Sequence, residues 1–177
     1  PAGFRNRDLG FAADGTPNPW YYEMAEPGFN LRAPDLLCAL GLSQLGKLPR
    51  FIARRQVLAA LYDERLASLA PVVRPVPRVA WSGHARHLYA VLIDFAAAGL
   101  DRAALMRALR DRGIGSQVHY IPVHLQPYYT DRYGSLALPG AEAYYARCLS
   151  LPLFPTMADG DIDRVVESLA DILGLQA

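Results

Sequence analysis

The sequence predicts an α+β fold for residues 78–177, a small sheet covered by helices, and three stretches carry that prediction. Leu88 to Phe95 is a near-continuous apolar run of strand length, as expected for a strand covered on both faces. Asp101 to Gly113 reads as a helix with an aspartate cap, an inner face of Leu105, Ala108 and Leu109, and a glycine stop. Asp159 to Gly174 is the clearest helix of the chain. Asp159, Asp161 and Asp163 sit at its positive end, and Ile162, Val165, Val166, Leu169, Ile172 and Leu173 line one face.

Taken in order, residues 1–28 carry Gly3, Gly10, Gly15, Pro17, Pro19 and Pro27 with no sustained period, which predicts irregular backbone. Trp20, Tyr21, Tyr22 and Met24 still form an apolar cluster that needs a partner surface. From Pro34 the pattern turns helical, with Asp35 at the start and Leu36, Leu37, Leu40 and Leu45 at helical spacing. Gly46 and Pro49 break that run. A longer helix is expected from Pro49 to Ala70, with a stripe of Phe51, Leu58, Leu61, Tyr62, Leu66 and Leu69. Arg50, Arg54, Arg55 and Glu64 mostly keep to its other faces.

Pro71, Pro75 and Pro77 then read as an extended linker and a domain boundary. Ser116 to Ile121 is expected as a strand, entered from a glycine turn and stopped by Pro122, which has no N–H to donate. A helix from Pro139 to Leu149 and a short edge strand or extended segment from Leu149 to Phe154 complete the order β-α-β-α-β-α.

At 177 residues the chain can bury a real core, and its 52% hydrophobic and 20% charged content is ordinary for a soluble protein. A net charge of +1 supplies no field suited to nucleic acid or a membrane surface. No apolar run reaches the roughly 18–20 residues a span requires. Cys38 and Cys148 suggest no disulfide framework and point to a reduced, cytoplasmic chain. The sequence opens at Pro1 rather than Met, so either processing or a longer parent chain is expected.

Chemistry concentrates between Gly113 and Tyr129. His119, Tyr120, His124 and the Tyr128–Tyr129 pair crowd the end of the expected strand, where they can hold a ligand or satisfy one another in a packed core. His84, His87, His119 and His124 match no zinc spacing, so no metal is expected. Gly41 to Leu48 approximates a phosphate loop but has Leu48 where magnesium needs a hydroxyl, and it lies in a helix instead of opening one. No nucleophile elbow and no GxGxxG is present, and Asp94 and Asp101 read as turn or cap residues.

Gly28-Phe29-Asn30-Leu31-Arg32-Ala33-Pro34-Asp35, followed by Ala39-Leu40-Gly41-Leu42-Ser43-Gln44-Leu45, resembles the signature of the DegT/DnrJ/EryC1/StrS sugar aminotransferases. The resemblance continues through Phe51 to Arg55, Tyr62, Val118 to His124, Ser150-Leu151-Pro152 and the final helix. With Trp20 to Met24 it is nearest to the pseudaminic acid branch, which aminates C4 of a UDP-linked 4-keto-6-deoxy amino sugar with glutamate as donor. The resemblance implies the C-terminal domain of a fold-type-I enzyme dependent on pyridoxal phosphate, with a mostly antiparallel sheet and long linking helices.

On that reading residues 1–33 are the tail of a large cofactor-binding domain, 34–77 linking helices and a Pro-rich linker, and 78–177 the small domain. The enzyme would be a homodimer in which Asn30 reaches the cofactor phosphate of the neighbouring subunit. Gln117, Val118, His119 and Tyr120, with His124 behind them, would meet the sugar nucleotide, and Arg32 would lie near the site. Leu31 stands where the family has tyrosine, and Ala33-Pro34 where it has a capping residue. The Schiff-base lysine belongs to the large domain; Lys47, the only lysine, lies outside any match to its motif, so no catalytic residue is expected in this stretch. The rival readings are a free-standing, non-catalytic sugar-nucleotide-binding or dimerisation module and a zinc hydrolase.

Overall fold

The computed structural model describes residues 11, 14–16, 29, 31–79 and 83–176. The Trp20–Met24 cluster and Asn30 lie outside these residues. The chain divides into two compact units, residues 1–44 and 45–177.

Helix α1, Asp35–Leu45, accounts for most of what is described in the first unit. It begins where Pro34 O accepts the N–H groups of Leu37 and Cys38, and Asp35 sits favourably in its first turn. Its leucines are spread around the helix and not gathered into one stripe. None of its residues is buried, and Leu36 is 80% exposed.

The second unit opens with α2, Leu48–Arg65, which takes Pro49 in its first turn. The helix expected to reach Ala70 ends at Arg65 and tightens into a 3-10 turn, Leu66–Leu69. The apolar stripe survives that change, because Leu58, Tyr62, Leu66 and Leu69 are all fully buried. The Tyr62 hydroxyl donates to Pro152 O at 2.9 Å, and burial pushes its phenol well above the ordinary range.

Three strands form one antiparallel sheet in the order β1 (Val73–Pro75), β2 (Tyr89–Ile93), β3 (Cys148–Leu151). Val73 of β1 faces Ile93 of β2, and Tyr89 of β2 faces Leu151 of β3. The Pro71–Pro77 stretch, expected as a linker, therefore supplies an edge strand. Val73 is fully buried, and Pro75 ends the strand at an edge, where a missing N–H is tolerated.

After β2 come α3 (Phe95–Ala98) and α4 (Arg102–Asp111). Asp94 Oδ1 accepts from Ala97 N–H and Asp101 Oδ1 from Ala104 N–H, so both aspartates are N-caps. A 3-10 turn at Val123–Leu125 follows, then α5 (Pro127–Tyr133) and α6 (Pro139–Arg147). The last helix, α7 (Asp159–Leu173), starts with Asp161 Oδ2 accepting the Ala158 N–H and ends at Gly174 with φ of 66°. That left-handed stop is where glycine is cheapest. Ile162, Val165, Val166, Leu169 and Leu173 join the core beneath the sheet residues Val91, Ile93 and Leu149.

Ser116 to Ile121 is not a strand. Only Gln117 pairs, in an isolated antiparallel bridge with Ser150. The reason is local: Gln117 Oε1 takes the Val118 N–H at 2.9 Å, which withdraws a donor from any ladder. The order β-α-β-α-β-α is accordingly replaced, with β1 ahead of β2 and no strand between α4 and α5.

Two arginines of α2 pin the loops. Arg55 Nη1 donates to the carbonyls of Arg86 (3.1 Å), His87 (2.9 Å) and Leu153 (2.7 Å). Arg54 Nη2 donates to Met157 O at 2.6 Å and pairs with Asp159 at 2.8 Å.

Candidate functional site

Beside the outer edge of β3, the extended stretch 117–120 is clamped to one residue. Gln117 N–H donates to Ser150 O at 3.2 Å, and Ser150 N–H donates to Gln117 O at 2.8 Å. Two residues on, His119 Nδ1 lies 2.8 Å from Ser150 Oγ. Ser150 is itself 5% exposed within a strand whose four residues are all buried, so the clamp is anchored in the core. Val118 is half-buried, and Tyr120 is 71% exposed with its ring edge-on to His119 at 4.7 Å. A held imidazole, an exposed phenol and a side-chain amide together can orient a polar, oxygen-rich ligand.

A second link joins His124 to Glu142. His124 is 8% exposed, and its Nε2 lies 3.1 Å from Glu142 Oε1. The same oxygen accepts the Leu138 N–H at 2.9 Å. One carboxylate thus ties the Val123–Leu125 turn to the start of α6. The Leu138 N–H, and after it the His124 ring, hold the Glu142 carboxyl below the usual range.

The sign of the pH effect follows. A lowered folded value means the link contributes stability above the ordinary carboxyl range and loses it as pH falls through the lowered value. Glu142→Gln should therefore destabilise the chain near pH 7, and the gap to the wild type should shrink in denaturant titrations as pH falls below the ordinary carboxyl range. A gap that stays constant would remove the carboxylate from the account.

Of the residues expected at the site, Gln117 and His119 bond Ser150 directly, Val118 bonds the Gln117 amide and Tyr120 packs on His119, while His124 belongs to the link made by Glu142. Arg32 lies exposed in the first unit, and Asn30 is outside the described residues. The two supports, Ser150 and Glu142, were not expected as site residues. Ser150 is a lone hydroxyl in a buried apolar strand, and Glu142 is the acid in the first turn of a helix opened by proline. Both residue types stand out locally, but nothing local names the histidines they hold.

The described residues do not by themselves make a pyridoxal phosphate site. That chemistry needs a lysine to carry the cofactor and an acid for its ring nitrogen. Lys47 stands instead at the N-cap of α2, without a side-chain cap bond and without an ion pair among the described residues. Among the same residues, no group of three or more His, Cys, Asp or Glu could hold a metal ion. No helix among them is long and apolar enough to cross a membrane.

The chain belongs to the DegT/DnrJ/EryC1/StrS aminotransferase family, whose model matches residues 6–170. It is 41% identical over 158 residues to the spore coat polysaccharide biosynthesis protein SpsC of Bacillus subtilis (strain 168), covering 87% of this chain and 40% of SpsC. Among solved structures it is similar to Helicobacter pylori PseC, an aminotransferase involved in the biosynthesis of pseudoaminic acid. The TM-score there is 0.77 at 26% identity, over 95% of this chain and 44% of PseC. It is also similar to the PLP-form of Spr1654 from Streptococcus pneumoniae, with a TM-score of 0.76 at 26% identity over 88% and 39% of the two chains. The chain thus spans about two fifths of the length of these relatives.

Proposed function

We propose that this chain is the C-terminal part of a pyridoxal phosphate-dependent sugar-nucleotide aminotransferase, and that Gln117 to Tyr120 form the wall facing the sugar nucleotide. The observation that carries the reading is the Ser150 clamp: a polar segment leaves its partner edge exposed while its backbone and one imidazole are fixed to the core. In such a position hydrogen-bonding groups are oriented before a ligand arrives, which reduces the ordering cost of binding. His124, fixed by Glu142, would stand behind the segment.

In the whole enzyme the cofactor would carry the amino group from glutamate to a keto sugar. The substrate would be a UDP-linked 4-keto-6-deoxy amino sugar, aminated at C4, as in pseudaminic acid synthesis. The likeness to PseC and to a polysaccharide biosynthesis protein supports that choice. The Schiff-base lysine would come from the large domain, and residues 1–33, 34–77 and 78–177 would be its tail, the linking helices and the small domain. Asn30 would donate to the cofactor phosphate across a homodimer, Arg32 would lie near the site, and the enzyme would work in the cytoplasm.

The test is an amino-donor assay on the protein in its natural length, with glutamate, pyridoxal phosphate and the UDP-keto sugar. Formation of 2-oxoglutarate together with the amino sugar is expected, and borohydride reduction should leave no pyridoxyl group on Lys47. No transfer to any keto sugar nucleotide, or label on Lys47, would overturn the reading. A non-catalytic binding or dimerisation module is the second reading, favoured by the exposed leucines of α1. It predicts sugar-nucleotide binding or self-association without turnover.

A further inference from the structure

We infer that Ser150 sets the tautomer of His119, so that the ring carries its proton on Nε2 and donates a hydrogen bond to an oxygen of the bound sugar nucleotide. The inference rests on the reading of Gln117 to Tyr120 as the substrate wall. Ser150 Oγ has one partner among the described residues, His119 Nδ1 at 2.8 Å. If Nδ1 held the proton, it would donate to Oγ, and the buried hydroxyl proton would have no acceptor there. If the hydroxyl donates to the Nδ1 lone pair, both groups are satisfied, and a neutral ring must then carry its proton on Nε2. A buried donor without an acceptor is the costlier choice, so the second arrangement wins.

The backbone holds this geometry in place. The two Gln117–Ser150 bonds fix the segment, and Tyr120 packs edge-on against the ring. Nε2, on the ring edge opposite Ser150, has no protein partner among the described residues. A fixed N–H at that edge suits a hydroxyl, carbonyl or phosphate oxygen and disfavours another donor. Ser150 is thus a positioning residue, acting through His119.

The test uses the whole enzyme with nitrogen-15-labelled histidine, the His119 signals being assigned with His119→Gln. The wild type should show an unprotonated Nδ1 and a protonated Nε2. Ser150→Ala should mix the two tautomers, and Ser150→Thr, which keeps the hydroxyl, should restore the first. In parallel, the KM for the UDP-keto sugar should rise roughly three- to tenfold in Ser150→Ala with kcat little changed, the size of one lost hydrogen bond. The other histidine signals report whether each variant is folded. A proton on Nδ1 in the wild type, unchanged His119 signals in Ser150→Ala, or an unchanged KM would each overturn the inference. Absence of turnover in the wild type would sink the aminotransferase reading and the ligand half of this inference, while the nitrogen shifts still decide the tautomer.

Discussion

Leu169→Ala should lower the stability of the chain by about 2–5 kcal/mol, the range for truncating a buried leucine. Leu169 is fully buried near the middle of α7, in the cluster that joins this helix to α2 and the sheet. The loss has two parts: the transfer free energy of the removed carbons and the cavity they leave behind. The cavity part should be near the upper end, since Leu58, Leu105, Leu109 and Ile162 in the same cluster are also fully enclosed, the last three on helices whose ends are fixed by Asp101, Asp161 and Gly174. Such a neighbourhood has little freedom to collapse. In urea titrations the midpoint should fall while the slope stays constant, because the surface exposed on unfolding hardly changes. A cost below about 1 kcal/mol would mean that α7 is loosely seated and that the core lies elsewhere.

How much of this was legible in the sequence depends on the range of the forces involved. The boundaries of α7 could be read because three local signals agree there: acids at the start, a single apolar face, and a glycine at the end. The aspartate caps of α3 and α4 were readable for the same reason. Strand β1 was missed because three prolines outweighed Val72 and Val73, although an edge position tolerates proline and Val73 is fully buried. The expected strand at Ser116 to Ile121 rested on a glycine turn before it and Pro122 after it, and neither signal speaks to the Gln117 amide competing for the Val118 N–H. At the candidate site the residue types near His119 were visible, but their supports were not. Ser150 and Glu142 lie 31 and 18 positions away from the histidines they hold, and no local period links residues that far apart.

The same blindness to distance applies to Arg55, which as a sequence feature belonged to the solvated side of α2. It is instead a long-range pin, and Arg55→Ala should cost about 2–4 kcal/mol, on the scale of hydrogen bonds from a charged donor. One nitrogen serves the carbonyls of Arg86 and His87 just before β2, and that of Leu153 just after β3. Deleting the guanidinium leaves these carbonyls to whatever water can reach them. Arg55→Lys should recover less than half of the loss, because a compact ammonium cannot reproduce the planar fork. Amide exchange gives a local readout: residues around 87–90 and 151–154 should lose protection first, while α4 keeps its own. The consequence extends to the candidate site, because β3 carries Ser150 and its exit is held at Pro152 O by Tyr62 and at Leu153 O by Arg55. If Arg55→Ala leaves protection at Leu151 and Leu153 unchanged, Tyr62 alone holds that exit. The His119 clamp then has no dependence on α2 through arginine.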